Sequence, residues 1–355
     1  MIPVLCPTFD EQTKKDMIAV LESGWIGQGP KVAELEEKFA KKVGTKYAIA
    51  TNSGTSALDL CIKAYGITNG ELITPAMTFV SDAIVGEWNH LDVTFADVDP
   101  DSLCLAPESL VVNDNTKVVI AVHSHGRLCD IEGIRKKFAG IIIEDCAHAF
   151  LTPGAGKKGD IAIWSFQAVK TCPAGDGGMI TTNDEEIAIK IRNMSWLGVE
   201  KSTYQRVGTK KYSWDYDIKH GGVKAYMNDL TAVLVLGNMR RIDQLINKRQ
   251  RIQRKYNEAF KDLNVELPVW SHTCQYYTLK VNNRDKISEY LAENGIATSV
   301  HFKPLSEMTY WKKAIKRPLL VTDGVWKRLL TLPCHDALTD EEQNYIIAKF
   351  KEALK

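Results

Sequence analysis

Asp145 and Lys170 are the two residues whose types and surroundings best suit chemistry. Around them the chain reads IIIEDCAHAF, LTPGAGKKGD, IAIWSFQAVK and TCPAGDGGMI over residues 141–180. One apolar run ends in Glu144-Asp145. A second ends in Ser165-Phe166, and Lys170 follows four residues after Phe166. The glycine-rich turn Gly175-Asp176-Gly177-Gly178 closes the unit. An acid at one strand end and a lysine just past the next suit a pyridoxal phosphate enzyme. The lysine can form a Schiff base with the aldehyde, and the acid can hold the pyridine nitrogen protonated. Displaced by an amino donor, the lysine becomes general base and acid. Taken singly, a lysine is ordinarily a solvated charge, and a strand-end carboxylate can simply cap a loop.

Further candidates lie elsewhere in the chain. Tyr47 to Ala50 reads as a short strand that runs into Thr51-Asn52-Ser53-Gly54-Thr55-Ser56 and then a helix. A helix N-terminus opening on small residues can cradle a phosphate, because its first N–H groups are unsatisfied and its dipole favours an anion. An ordinary Ser/Thr-capped helix reads the same way. Ser165 could add its hydroxyl to a phosphate near Gly54 and Thr55. His148 could hydrogen-bond the cofactor's phenolic oxygen or be a satisfied core histidine. Phe79, in Pro75-Ala76-Met77-Thr78-Phe79, could stack on the ring or belong to the core.

These residues need a scaffold, and the apolar periodicity supplies one. Helices are predicted over 10–23, 31–43, within 76–88 and over 131–138, and strands over 71–74, 93–96, 117–122 and 141–143. The β–α–β rhythm predicts an α/β fold: a mostly parallel sheet covered by helices on both sides, with ligands at the carboxyl ends of its strands. Residues 200–222 lack a period and read as a functional excursion or a partner-contacting arm. From Met227 a single long helical pattern reaches the charged stretch 247–251, where the domain boundary is placed. Residues 1–248 form the large cofactor-binding domain and residues 249–355 a smaller C-terminal α+β domain. Strands are predicted there over 276–281 and 298–302, with helices over 287–293 and 340–354.

Length and composition narrow the function classes. A chain of 355 residues accommodates a large domain and a smaller one. Its net charge of +1 points away from nucleic acid and anionic membranes as partners. No apolar run approaches the ~20 residues that span a bilayer, and the N-terminus MIPVLCPTFD lacks the pattern of a signal peptide. Eight scattered cysteines without a CxxC pair read as free thiols in a reducing cytoplasm, and no metal is expected.

Together these hints resemble the DegT/DnrJ/EryC1/StrS sugar aminotransferases, a branch of the fold-type I (aspartate aminotransferase-like) enzymes that use pyridoxal 5′-phosphate. The resemblance covers nearly the whole chain. Its landmarks are GWIGQGP at 24–30, SGTSAL at 53–58, PAMTF at 75–79, EDCAH at 144–148, SFQAVK at 165–170, GDGG at 175–178, YMND at 226–229 and VHFKPL at 300–305. It implies Lys170 as the Schiff-base lysine, Asp145 as the pyridinium partner and Phe79 as the stacking aromatic. Gly54, Thr55 and Ser165 become phosphate binders, while His301, with Trp25 in the first landmark, falls to the sugar-nucleotide substrate. It also implies a homodimer with shared active sites, the 222–227 stretch reaching the neighbouring subunit's phosphate.

Three departures stand out. His148 occupies a position where the family most often has glutamine, and it keeps a donor there. Lys224 stands where asparagine is usual, and it can neutralise a phosphate as a charge. The 150–158 loop is short. Related sugar dehydratases carry histidine at the lysine position, so Lys170 favours amino transfer. The leading expectation is an aminotransferase acting on a nucleotide-linked keto sugar with L-glutamate as donor. The alternatives are a dehydratase or lyase of the same fold, or a non-catalytic cofactor-binding protein.

Overall fold

A computed structural model describes residues 1–200, 216–312 and 317–355. Much of the predicted 200–222 excursion therefore lies outside the described residues. Seven strands form the central sheet: β1 (Tyr47–Thr51), β2 (Glu71–Pro75), β3 (Asp92–Ala96), β4 (Thr116–Val122), β5 (Ile141–Asp145), β6 (Ile161–Ser165) and β7 (Gly178–Thr182). Their spatial order is β1-β7-β6-β5-β4-β2-β3. Every pairing is parallel except those of β7, which runs antiparallel to both β6 and β1. The sheet is thus mostly parallel, as expected. The antiparallel insertion was not foreseen, because Gly175 to Gly178 read only as a turn.

Burial explains why these segments are strands. β5 packs Ile142 and Ile143 with under one per cent exposure, and β4 buries Val118, Val119, Ile120 and Ala121 equally. Branched side chains buried on both faces suit the interior of a helix-covered sheet. One face meets the helix α1 (Pro30–Val43), begun by proline and ended by Gly44 in a left-handed conformation. There Phe39 lies 5.5 Å from Trp164 and 5.8 Å from Phe166, edge to face in both pairs. The other face meets α2 (Gly54–Ala64) and α3 (Glu185–Met194). A further helix, α4 (Ser81–Trp88), follows β2.

Two sequence expectations need correction. The long helical pattern after Met227 is two helices, α5 (Asp229–Arg240) and α6 (Ile242–Phe260). They part at Arg241, with φ −111° and ψ 11°, whose guanidinium donates to the Thr8 carbonyl and to Asn238 Oδ1. The 248/249 division falls within α6. Residues 298–302 do not form a strand: Ser299 makes an isolated bridge to Thr331. The true partner of β8 (Tyr277–Lys280) is β9 (Leu329–Leu332), antiparallel. This small sheet shares an apolar cluster with α6 and with α7 (Asp340–Ala353), which opens on a capping box between Thr339 and Glu342.

Candidate active site

A cavity of about 420 Å³ opens at the carboxyl ends of β5 and β6. Gly54, Thr55, Phe79, Asp145, His148, Ser165, Lys170 and His301 all line it. Chain segments separated by up to about two hundred and fifty residues are thereby brought to one place, where open α/β sheets bind ligands.

The anion-binding corner comes from the start of α2. Ser53 caps this helix, its hydroxyl accepting from the Ser56 N–H at 3.0 Å. Geometry leaves the first N–H groups of the helix, on Gly54 and Thr55, without carbonyl partners inside it. Gly178 lets this backbone come close. A Cβ placed on Gly178 would lie 2.5 Å from the Ser53 carbonyl oxygen and 2.7 Å from the Gly54 nitrogen. Gly178 pairs in register with Thr51 on one side and Ser165 on the other. The unforeseen strand β7 is therefore what joins the cradle to the lysine loop.

Lys170 sits in a loop closed by backbone hydrogen bonds. Phe166 N–H donates to Gly177 O at 2.9 Å, Ala168 N–H to Gly175 O at 2.7 Å and Ala174 N–H to Phe166 O at 2.7 Å. Gln275, wholly buried, grips the loop from the C-terminal part of the chain. Its Nε2 donates to Val169 O at 2.7 Å, and its Oε1 accepts from Thr171 Oγ1 at 2.8 Å.

Neighbouring acids at the end of β5 face opposite ways, as strand alternation demands. Glu144 turns inward, accepting from His123 Nε2 at 2.7 Å and from the N–H groups of Gly156, Lys158 and Gly159. His123 Nδ1 accepts from Cys129 N–H at 2.9 Å, which leaves its Nε2 to carry the proton. Burial would raise the Glu144 carboxyl, but His123 and the loop amides outweigh it and hold it below the usual range. Asp145 lines the cavity, its Oδ1 accepting from Ala147 N–H at 2.7 Å.

Three histidines cluster here, two of which, His148 and His301, line the cavity. His148 stacks on Phe302 at 5.7 Å and His301 on Tyr276 at 3.7 Å. His125 lies 6.2 Å from His148, edge on. Burial drives all three toward the neutral form, and the Lys170 charge adds to it. His301 is pushed down to about 3. Its Nδ1 is 2.9 Å from Thr331 Oγ1.

Trp25 and Lys224 are not brought to this cavity. Trp25 lines a second, shallower pocket of about 310 Å³ with Trp196 and Tyr226. Lys224 is exposed, its Nζ 5.6 Å from the centre of the Trp196 ring. The sequence did not single out Thr78, Asp176, Tyr276 or Phe302, which also line the main cavity, or Gln275. Tyr276 carried no signal beyond opening a predicted strand, and Gln275 lies just before it.

The groups present fit pyridoxal phosphate. Unpaired helix N-terminal amides beside Ser165 suit a dianion. The Asp145 carboxylate suits a protonated ring nitrogen. The buried Nδ1 of His148 has no hydrogen-bond partner among the described residues. Phe79, at 56% exposure despite its apolar ring, offers a free face.

Comparison with known proteins agrees with this geometry. The DegT/DnrJ/EryC1/StrS aminotransferase family model matches residues 7–351. The spore coat polysaccharide biosynthesis protein SpsC of Bacillus subtilis (strain 168) is 33% identical over 379 residues, covering 100% of this chain and 97% of SpsC. The sugar aminotransferase CalS13 from Micromonospora echinospora superposes with a TM-score of 0.90 at 25% identity, over 99% of this chain and 100% of that one. Spr1654 from Streptococcus pneumoniae, in its PMP form, gives a TM-score of 0.92 at 27% identity over 99% of each chain, and it has also been solved in a PLP form.

Proposed function

The chain belongs to the DegT/DnrJ/EryC1/StrS aminotransferase family, and from that premise we propose that it binds pyridoxal phosphate and transfers an amino group from L-glutamate to a nucleotide-linked keto sugar. The observation that carries this reading is the convergence of Asp145, Lys170 and the Gly54–Thr55 cradle on one cavity. The sugar class is supported by CalS13, named a sugar aminotransferase, and by SpsC, named for polysaccharide biosynthesis. The division at 248/249 and a place in the cytoplasm belong to the same proposal. Among the described residues no helix is long and apolar enough to cross a membrane.

When bound, pyridoxal phosphate supplies a carbonyl that reacts with amines and a cationic ring that accepts an electron pair. The residues of this chain hold and orient it. Lys170 would hold it through Nζ, and the Gly54 and Thr55 N–H groups with Ser165 Oγ would take the phosphate. Asp145 would keep the ring nitrogen protonated, Phe79 would cover one ring face, and His148 would meet the phenolic oxygen. The Lys170 Nζ would also be the group placed to carry the proton removed from the donor carbon. His301 is neutral at physiological pH, so its role at the sugar end is as a hydrogen-bonding group and not as a cation.

Trp25 and Lys224 lie outside their own subunit's cavity, which supports a homodimer in which they complete the neighbour's site. Lys224 then meets the phosphate, and Trp25 the substrate, from across the interface.

The test is to incubate purified enzyme with ¹⁵N-glutamate and UDP-, dTDP- or GDP-linked keto sugars and to follow the sugar by mass spectrometry. Retained ¹⁵N on the sugar is expected from the wild type, with loss of turnover in Lys170→Ala. Elimination without retained nitrogen would instead identify a dehydratase or lyase.

A further inference from the structure

Behind Asp145 lies a second carboxyl that the proposed chemistry does not use. Asp82, in the first turn of α4, has no exposed surface, whereas Asp145 is 5% exposed. Thr78 Oγ1 donates to Asp82 Oδ2 at 2.5 Å. Oδ1 of Asp82 is buried with no hydrogen-bond donor to serve it among the described residues. Its side chain is in hydrogen-bonding contact with that of Asp145. Two carboxylates cannot make that contact, since neither carries a donor. One proton between them turns an acceptor facing an acceptor into a hydrogen bond, as in paired carboxyl groups sharing a site.

The surroundings say which carboxyl carries the proton. Asp145 already accepts from the Ala147 N–H and borders the cavity. Asp82 has one hydroxyl donor and is sealed from water. Burial and the neighbouring Asp145 charge push the Asp82 carboxyl well above the usual carboxylate range, outweighing the Thr78 hydrogen bond and the Lys170 charge.

We propose that Asp82 stands behind Asp145 as a neutral acid, donating a hydrogen bond to the Asp145 carboxylate and fixing its orientation toward the cavity. Asp82 is thus a positioning residue that acts through Asp145. With Ala147 N–H as one donor and Asp82 as the other, the carboxylate cannot rotate freely about its last torsion. The consequence for catalysis rests on the reading of Asp145 as partner of the ring nitrogen. The carboxyl pair itself does not.

Isotope-edited infrared spectroscopy on protein labelled with ¹³C-aspartate tests the pair directly, in apoprotein and holoenzyme at neutral pH. The wild type should show the C=O stretch of a protonated carboxyl, and Asp82→Asn should abolish it. Absence of the band, or its persistence in Asp82→Asn, overturns the proposal. Asn can still accept from Thr78 and donate to Asp145 through its amide. Asp82→Asn holoenzyme should therefore keep kcat within about threefold of wild type, while Asp82→Ala loses about tenfold, the effect of removing one hydrogen bond to a charged group. The visible absorption of the bound cofactor should shift in Asp82→Ala and hold in Asp82→Asn. Equal losses in both variants at equal thermal stability also overturn it. Should the wild type show the infrared band yet transfer no nitrogen to any sugar, the pair stands and the aminotransferase reading falls.

Discussion

Gln275 holds the chain on both sides of Lys170, donating to Val169 O and accepting from Thr171 Oγ1. The grip comes from a residue far along the chain, just before β8, so the lysine's position depends on how the C-terminal part seats against the large sheet.

Gln275→Leu should therefore weaken both stability and turnover. Losing both bonds in a buried site leaves the Val169 carbonyl unpaired and should cost about 1–3 kcal/mol. A lowered urea midpoint, with kcat falling more than substrate KM rises, is the expected pattern. Gln275→Glu should do no better, because one carboxylate oxygen would face the Val169 carbonyl without a donor. Unchanged kcat in both variants would remove Gln275 from any positioning role.

Gly178→Ala places a methyl against the Ser53–Gly54 backbone at distances that require movement. Overpacking of this kind costs about 1–3 kcal/mol. The movement displaces the anion cradle, so cofactor affinity should fall by about tenfold or more. Fluorescence titration of apoprotein with pyridoxal phosphate checks this. Gly175 has open space where its Cβ would stand. At φ 84°, however, Gly175→Ala should destabilise through backbone strain and spare the cradle.

Stability should fall on acidification from near neutrality. His125, His148 and His301 all have native values below that of an unfolded histidine, about 6.5. Below that pH the unfolded chain binds protons that the native chain refuses, so stability drops as pH falls, until for His301 the value of about 3 is reached. Each buried histidine should cost about 1–2 kcal/mol between pH 7 and pH 5. Urea midpoints at both pH values measure it, and His148→Gln should narrow the difference by one histidine's share, leaving those of His125 and His301.

Lys224 gives a prediction that only a shared site can meet. Mixing Lys170→Ala chains with Lys224→Ala chains yields hybrid dimers with one site carrying both lysines. Random assortment should then restore about a quarter of wild-type activity from two impaired parents. If Lys224 acts only within its own subunit, mixing restores nothing beyond the average of the parents.

Much of the cavity was legible because its residues sit where apolar runs stop. Asp145 and Ser165 end strands, and Gly54 begins a helix, so polarity changes mark them. The α/β class was legible for the same reason, since doubly buried strands read as unbroken apolar runs. Asp82 was not legible, because an acid in a first helical turn is ordinarily explained by the helix dipole. Gln275 was hidden because its partners are backbone and threonine, which leave no spacing pattern. The strand β7 escaped notice because a glycine turn precedes it, and direction within a sheet is set by tertiary pairing and not by local sequence. The 298–302 stretch failed as a strand for a related reason: its alternation is satisfied by the Ser299–Thr331 bridge and by the His301 stack on Tyr276.

The place of β7 has a bearing on how the molecule comes into being. Among the described residues β1 pairs within the sheet with β7 alone, and more than a hundred residues separate them. Strands β3 to β6 can each pair, as they leave the ribosome, with a neighbour already made. The first strand, with the anion cradle that follows it, has no place in the sheet until residues 178–182 have been synthesised. Closing so long a loop is the slow kind of step in folding. The earliest-made part of the active site is therefore among the last to be put in place.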